Sequence, residues 1–359
     1  MTIQRTTQRL TTPQSLIGAG LAAPERLQEL EAVAERYAIG LTPALATLVQ
    51  PGDPADPIAR QFVPDARELI RDPAESDDPI GDDAMSPVKG LVHRYPDRVL
   101  IKLVAVCAVY CRFCFRRERV GPGAGSLSAA DYAAALDYVR AHTGVWEVIL
   151  TGGDPLTLAP RRIAEATQAL AGIPHVKTLR WHTRLPVAAP ERVTKAMARA
   201  LMAEGKTTVV AVHANHPREL TESARSACRR LAAHGAMLVS QSVLLGGVND
   251  DAETLVALMR AFVEAGVKPY YLHHGDLAPG TAHWRVPIAK GQELMRLLRA
   301  RLSGLATPSY MLDIPGGHGK VPIGPQWIRT DGGGTHVVTD PRGGEHLYVD
   351  YVDRPETGE

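Results

Sequence analysis

The chain has 359 residues, 40 Lys and Arg against 39 Asp and Glu for a net charge of +1, and 45% hydrophobic but only 5% aromatic residues. That length allows two or three units, or one large α/β barrel with extensions. The charge balance lacks the basic excess of a sequence-independent nucleic-acid binder, and no apolar run approaches the roughly 18 residues that span a bilayer. No nucleic-acid or membrane partner is therefore expected.

Arg5 and Arg9 precede the first acid, Glu25, which has a transit-peptide flavour, but the continuous apolar core of a secretory signal is missing. Apolar recurrence at Leu27, Leu30, Val33 and Ala34 predicts a helix within Ala23–Tyr37, and Pro43–Val49 predicts a shorter one. From Pro73 to Asp83, acids, prolines and a glycine mark a loop. Residues 1–90 thus read as an N-terminal helical extension. From Arg98 onward, short β-branched runs alternate with longer amphipathic stretches, the pattern of βα units and a parallel sheet. Strands are predicted over Val99–Val106, Trp146–Leu150, Val176–Trp181, Thr207–Val212, Met237–Val243 and Pro269–Leu272. Helices fall between them, among them Ala129–Ala141, with Ser128 and Asp131 in capping-box spacing, and Glu219–Ala233. Six such units predict an α/β fold, an incomplete (β/α)6 barrel over residues 91–305, with functional groups at the carboxyl ends of its strands. Residues 306–359 hold a Gly-rich lysine loop and a predicted β-hairpin, His336–Val352, around Asp340-Pro-Arg-Gly-Gly.

Three of the four cysteines, Cys107, Cys111 and Cys114, fall within eight positions just after the first predicted strand. Disulfide scaffolds of this length do not cluster cysteines so, and a reducing, cytoplasmic compartment is expected. Soft thiolates in that number select zinc or an iron-sulfur cluster, and three at x3 and x2 spacing leave one metal corner open for a ligand. Cys228, alone on an Ala- and Arg-rich helix, reads as core.

The Cys107-x3-Cys111-x2-Cys114 spacing resembles the radical S-adenosylmethionine (SAM) superfamily, and Thr151-Gly152-Gly153-Asp154-Pro155 after the second strand resembles its Gly-Gly-Glu/Asp motif. The resemblance implies a 4Fe-4S cluster on the three cysteines, with SAM on the open iron and Gly152, Gly153 and Asp154 at the SAM amino group. The segment Asp313-Ile-Pro-Gly-Gly-His-Gly-Lys320-Val-Pro is similar to the pyridoxal 5'-phosphate (PLP) segment of the lysine 2,3-aminomutase family. Ser86–Arg98, His213–Pro217, Gln241–Leu245 with Asn249, and Tyr270–Asp276 extend the likeness in order over roughly residues 50–325. By that likeness Lys320 holds PLP covalently, and Arg94, Tyr95 and Arg98 hold its phosphate. His213 and Gln241 contact SAM, Arg116 binds the substrate carboxylate, and Asp276 and Asp313 bind the ε-ammonium of lysine. Glutamate-acting relatives replace these acids. The implied function is interconversion of L-lysine and β-lysine: a 5'-deoxyadenosyl radical takes hydrogen from the β-carbon, and the amino group migrates between neighbouring carbons. The implied partners are a free amino acid and a reducing donor such as flavodoxin or ferredoxin.

Alternatives are the same chemistry on arginine, glutamate or a protein-bound lysine of a translation factor, and a non-catalytic iron-sulfur protein on a retained barrel. The pattern departs from the family where clostridial-type members carry a zinc-binding cysteine cluster. Asp251 follows Val248-Asn249-Asp250 here, and no cysteine occurs after Cys228, so no structural zinc is expected. A homodimer is expected.

Overall fold

The computed structural model describes residues 7–332 and 334–351; Arg5 and Val352, named above, lie outside them. Nine strands form one sheet in sequence order: β1 (Leu91–Tyr95), β2 (Arg98–Val104), β3 (Glu147–Gly152), β4 (Thr178–Thr183), β5 (Thr207–His213), β6 (Met237–Val243), β7 (Lys268–His273), β8 (Ser309–Ile314) and β9 (Gly319–Pro322). Strands β2 to β8 are parallel, while β1 and β9 run antiparallel at the two edges. The edges approach each other, because the Lys320 backbone N–H donates to the Tyr95 hydroxyl at 2.7 Å. All six predicted strands are present in this partial barrel. The edge strands β1 and β9 and the last parallel strand β8 were not anticipated, and the Lys320 segment, read as a loop, ends in a strand.

Parallel neighbours need crossover connections, and the helices supply them on one face of the sheet. In β2, Val99, Ile101 and Leu103 are buried between half-buried Arg98, Leu100 and Lys102. Register carries the buried layer across, Val99 to Val148 to Leu179 and Ile101 to Leu150 to Trp181. These residues join one core with the helices Ala129–Ala141, Pro160–Ala171, Glu222–Ala233 and Ala252–Glu264. The alternate residues, Lys102 beside Thr151 and Glu147 beside Arg98, therefore share the opposite, interior face. Cys228 is fully buried in the core, as its surroundings predict.

Caps set the helix starts. Ser128 Oγ accepts the Asp131 N–H at 3.1 Å, so the predicted Ala129–Ala141 helix begins where its sequence places it. Thr221 caps the next one at the Ala224 N–H, so that helix begins at Glu222 and Pro217–Glu219 is a separate 3-10 turn.

The first ninety residues hold helices Pro13–Gly18 and Leu27–Arg36 with several short turns. Their own apolar cluster, including Leu16, Leu45 and Phe62, also takes Val109 and Ala188 from the barrel. At the other end, β10 (Ile328–Gly332), β11 (Thr335–Thr339) and β12 (Glu345–Val349) form a three-stranded antiparallel sheet. Its β11–β12 turn closes on Asp340, whose Oδ1 accepts the Arg342 and Gly344 N–H groups at 2.7 and 3.0 Å. Among the described residues no helix is long and apolar enough to cross a membrane.

Candidate active site

The cysteine loop leaves the carboxyl end of β2 and is stitched to β3 by the Gly152-Gly153-Asp154 motif. Gly153 N–H donates to Val104 O at 2.6 Å and Asp154 N–H to Val106 O at 2.9 Å. A Cβ on Gly152 would lie 2.2 Å from Val104 O, and one on Gly153 would lie 2.3 Å from Val106 O. The close approach that these glycines permit is thus to the backbone leading into Cys107. The buried Asp154 carboxylate accepts from Leu156 N–H at 3.0 Å, Thr183 Oγ1 at 2.8 Å and Arg184 N–H at 2.8 Å. Burial pushes its carboxyl up, and those three donors oppose the shift.

Desolvation raises all three clustered thiols: Cys107 well above its ordinary value, Cys114 up to about 11, and Cys111 less, because Arg184 opposes it. Arg184 Nη1 donates to Cys111 Sγ at 3.0 Å, and its Nη2 is held by Gln61 Oε1 at 2.6 Å and by Glu219. Arg112 and Arg117, which flank Cys114, both pair with buried Glu68. The ring of His213, at the end of β5, stacks on Phe113 at 5.7 Å, and its buried Nε2 has no partner. Gln241 lies opposite His213 in the β5–β6 register. Among the described residues, no three His, Cys, Asp or Glu side chains are placed to hold a single metal ion.

Arg116 belongs to a cationic cluster that sequence reasoning saw only in part. Its Nε and Nη2 donate to Asp82 Oδ2 at 3.3 and 3.1 Å, and its Nη1 reaches Thr151 Oγ1 at 3.5 Å. Asp82 also takes Arg94 Nη2 at 3.2 Å and lies 3.8 Å from Lys102 Nζ. Burial works to raise the Asp82 carboxyl, but Arg116, Lys102 and Arg94 together hold it below its ordinary value. Arg94 Nη2 donates to Ile80 O at 2.7 Å, and Arg94 Nε is buried without a partner.

At the other edge of the sheet, Asp313 on β8 faces Lys320 on β9 in register, and the ammonium pairs with both carboxylate oxygens. Burial would raise the Asp313 carboxyl, yet His273, 3.7 Å away, and Lys320 hold it well below the carboxylate range. Asp276 is pushed up to about 7, first by burial and then by the charge of Asp313, with Lys320 and Arg116 opposing. The Arg98 guanidinium lies over the Tyr95 ring at 3.7 Å and bonds to Asp97 at 2.7 Å. Sequence reasoning missed His182 on β4, whose buried Nε2 has no partner. Burial and the charges of Arg180, Arg116 and Lys320 push its imidazole well below its ordinary value.

Residues 101–259 match the Radical SAM superfamily, whose membership implies a 4Fe-4S cluster and SAM. The chain is 38% identical to L-lysine 2,3-aminomutase of Clostridium subterminale over 85% of this chain and 74% of that protein. It is 35% identical to L-lysine 2,3-aminomutase of Escherichia coli over 88% and 92% of the two chains. To glutamate 2,3-aminomutase of Clostridioides difficile it is 33% identical over 90% and 76%. With a cysteine loop at the end of β2, an interior of opposed charges and relatives matched over most of both lengths, this chain belongs to the lysine 2,3-aminomutase family of radical SAM isomerases.

Proposed function

We propose that the chain is a PLP-dependent 2,3-aminomutase that interconverts free L-lysine and β-lysine. The observation that carries this reading is the placement of buried Asp276 within electrostatic reach of Arg116 on one side and of the paired Asp313 and Lys320 on the other. A cation seat of two acids and an anion seat of one arginine match the two ends of lysine and reject a substrate whose distal group is a carboxylate.

Moving an amine between neighbouring carbons requires breaking an unactivated C–H bond, which acidic and basic side chains cannot do. The cluster with SAM supplies a carbon radical for that bond, and PLP supplies the carbon that carries nitrogen between positions. Cys107, Cys111 and Cys114 would hold the cluster. Their burial-raised thiols would ionise as iron replaces the proton, and three thiolates on one loop suit an iron-sulfur cluster. Orphaned His213 Nε2 retains bonding capacity for SAM, with Gln241 across the register and Gly152, Gly153 and Asp154 shaping the loop beside it. Arg94, with its unpartnered Nε, Tyr95, whose hydroxyl meets the Lys320 N–H, and Arg98, stacked on the Tyr95 ring, would take the PLP phosphate. Asp313, now paired with Lys320, would offer its carboxylate to the ε-ammonium were that lysine to hold PLP, with Asp276 beside it. Arg116 fixes the carboxylate, and the barrel excludes water around the reacting carbons. A low-potential protein such as flavodoxin or ferredoxin would reduce the cluster, in a homodimer of the cytoplasm.

The test is anaerobic: reconstituted protein with SAM, PLP, dithionite and L-lysine, followed for β-lysine by mass spectrometry, beside Lys320→Ala and Asp313→Ala. Product in the parent and none in either variant supports the assignment. SAM cleavage without product from lysine overturns the choice of substrate.

A further inference from the structure

We propose that the acidic strap of residues 72–83, acting through Asp82, fixes the span between the carboxylate clamp and the ammonium seat and so sets the length of amino acid accepted. This inference rests on Arg116 and Asp276 binding the two ends of the substrate, as argued above.

The strap touches both ends. Near its start, the Ser76 N–H donates to Leu277 O at 2.9 Å. Glu75 accepts from Gly280 N–H at 2.9 Å and Arg285 Nη2 at 2.6 Å. These contacts hold the segment that follows β7 and carries Asp276. Six residues after Ser76, Asp82 takes Arg116 and Arg94, while Asp83 pairs with Arg119 on the cysteine loop. Between the two ends Gly81 lies against the turn before Lys320, where a Cβ would come within 2.2 Å of Gly317 N. The strap is itself braced, because Asp78 accepts the N–H groups of Asp82 and Asp83 at 2.9 and 2.8 Å.

Arginine is long and flexible, and left alone it would follow the carboxylate of a shorter substrate. Asp82 removes that freedom by taking the Nε and Nη2 edge. The Nη1 corner is left toward Thr151, on the interior face, through a weak 3.5 Å contact that an incoming carboxylate can replace. With the anion seat pinned and the ammonium seat tied to the same strap, a diamino acid one methylene shorter cannot reach both. One methylene is worth roughly 10- to 200-fold in a fixed pocket. Asp82 is thus a positioning residue whose signature is selectivity rather than affinity alone.

The experiment compares the affinities of lysine and ornithine, which is one methylene shorter, by isothermal titration of PLP-loaded, unreduced protein. Iron content and PLP absorbance are checked in each variant. Arg116→Gln should lose affinity for both amino acids. Asp82→Ala should narrow the lysine-to-ornithine ratio by about tenfold, and Asp82→Asn, whose amide oxygen can still accept from Arg116, by less. If Asp82→Ala fails to fold, Asp82→Asn carries the comparison. An unchanged ratio in the folded Asp82 variants, with lysine lost in Arg116→Gln, overturns the strap's role. Lysine binding that survives Arg116→Gln shows instead that the clamp is misassigned, and the inference falls with it.

Discussion

Asp313 and Lys320 are register partners across the antiparallel β8–β9 pair, and the lysine ammonium reaches both oxygens of the aspartate. The pair places the amine proposed to hold PLP and the acid proposed to seat the substrate on adjacent strands. Each is the counter-ion of the other.

Breaking this pair from either side has different outcomes. Lys320→Ala should abolish the visible absorbance that PLP acquires on covalent attachment while leaving the brown colour of the cluster. Asp313→Asn should retain PLP absorbance yet lower lysine kcat/KM by at least about a hundredfold, since a buried charge contact of roughly 3 kcal/mol is lost. Absorbance spectra and steady-state kinetics separate the two.

With Asp276 in its proposed place at the ε-ammonium, lysine binding should depend on pH. The Asp276 carboxyl, raised to about 7 by burial and by Asp313, is protonated below that pH and cannot receive an ammonium. Above it the charged form is available. Lysine affinity should therefore rise with pH through neutrality, with a limiting slope of roughly tenfold per pH unit on the acid side. The Asp276→Asn variant should bind weakly and without this limb; a pH series of calorimetric titrations reads both.

Replacing Cys107, Cys111 or Cys114 singly by Ala should remove the cluster's absorbance and SAM cleavage together. Cys228→Ala, a change within the apolar core, should retain both and lower only the melting temperature. Iron analysis beside thermal melts checks the contrast.

Glu68→Ala should cost on the order of 3–5 kcal/mol, because it leaves the two buried guanidinium groups of Arg112 and Arg117 without their carboxylate. Glu68→Gln keeps an acceptor and should cost less. Denaturant melts of the cluster-free chains would reveal the difference.

The parallel strands were legible because central strands, buried on one side by helices, are β-branched runs bounded by turns. Leu91–Tyr95 carries only two buried residues, at its start, and Gly319–Pro322 is four residues with two glycine or proline positions, so neither shows a strand period. The same division holds in the site. The cysteines, Gly152-Gly153-Asp154 and the segment from Asp313 to Lys320 are contiguous and could be read. Asp82 sits among several acids in a loop, and what distinguishes it is contact with Arg116, 34 positions away. The ion pair of Glu147 with Arg180 spans 33 positions, and His182 is set apart only by an orphaned buried nitrogen. Such roles arise from folding and leave no local trace.

The boundary near residue 90 separates helical turns from strands, but charge ignores it. Asp56, Glu68, Glu75 and Asp82 lie before it, and the arginines they neutralise, Arg94, Arg112, Arg116, Arg117, Arg218 and Arg285, all lie beyond it. A barrel severed at that point would retain its apolar layer and the pairs of Glu147, Glu219 and Asp313, but would leave those six guanidinium groups without these counter-ions. The leading segment is thus the barrel's own salt, covalently attached, and the two can be expected to fold only as one.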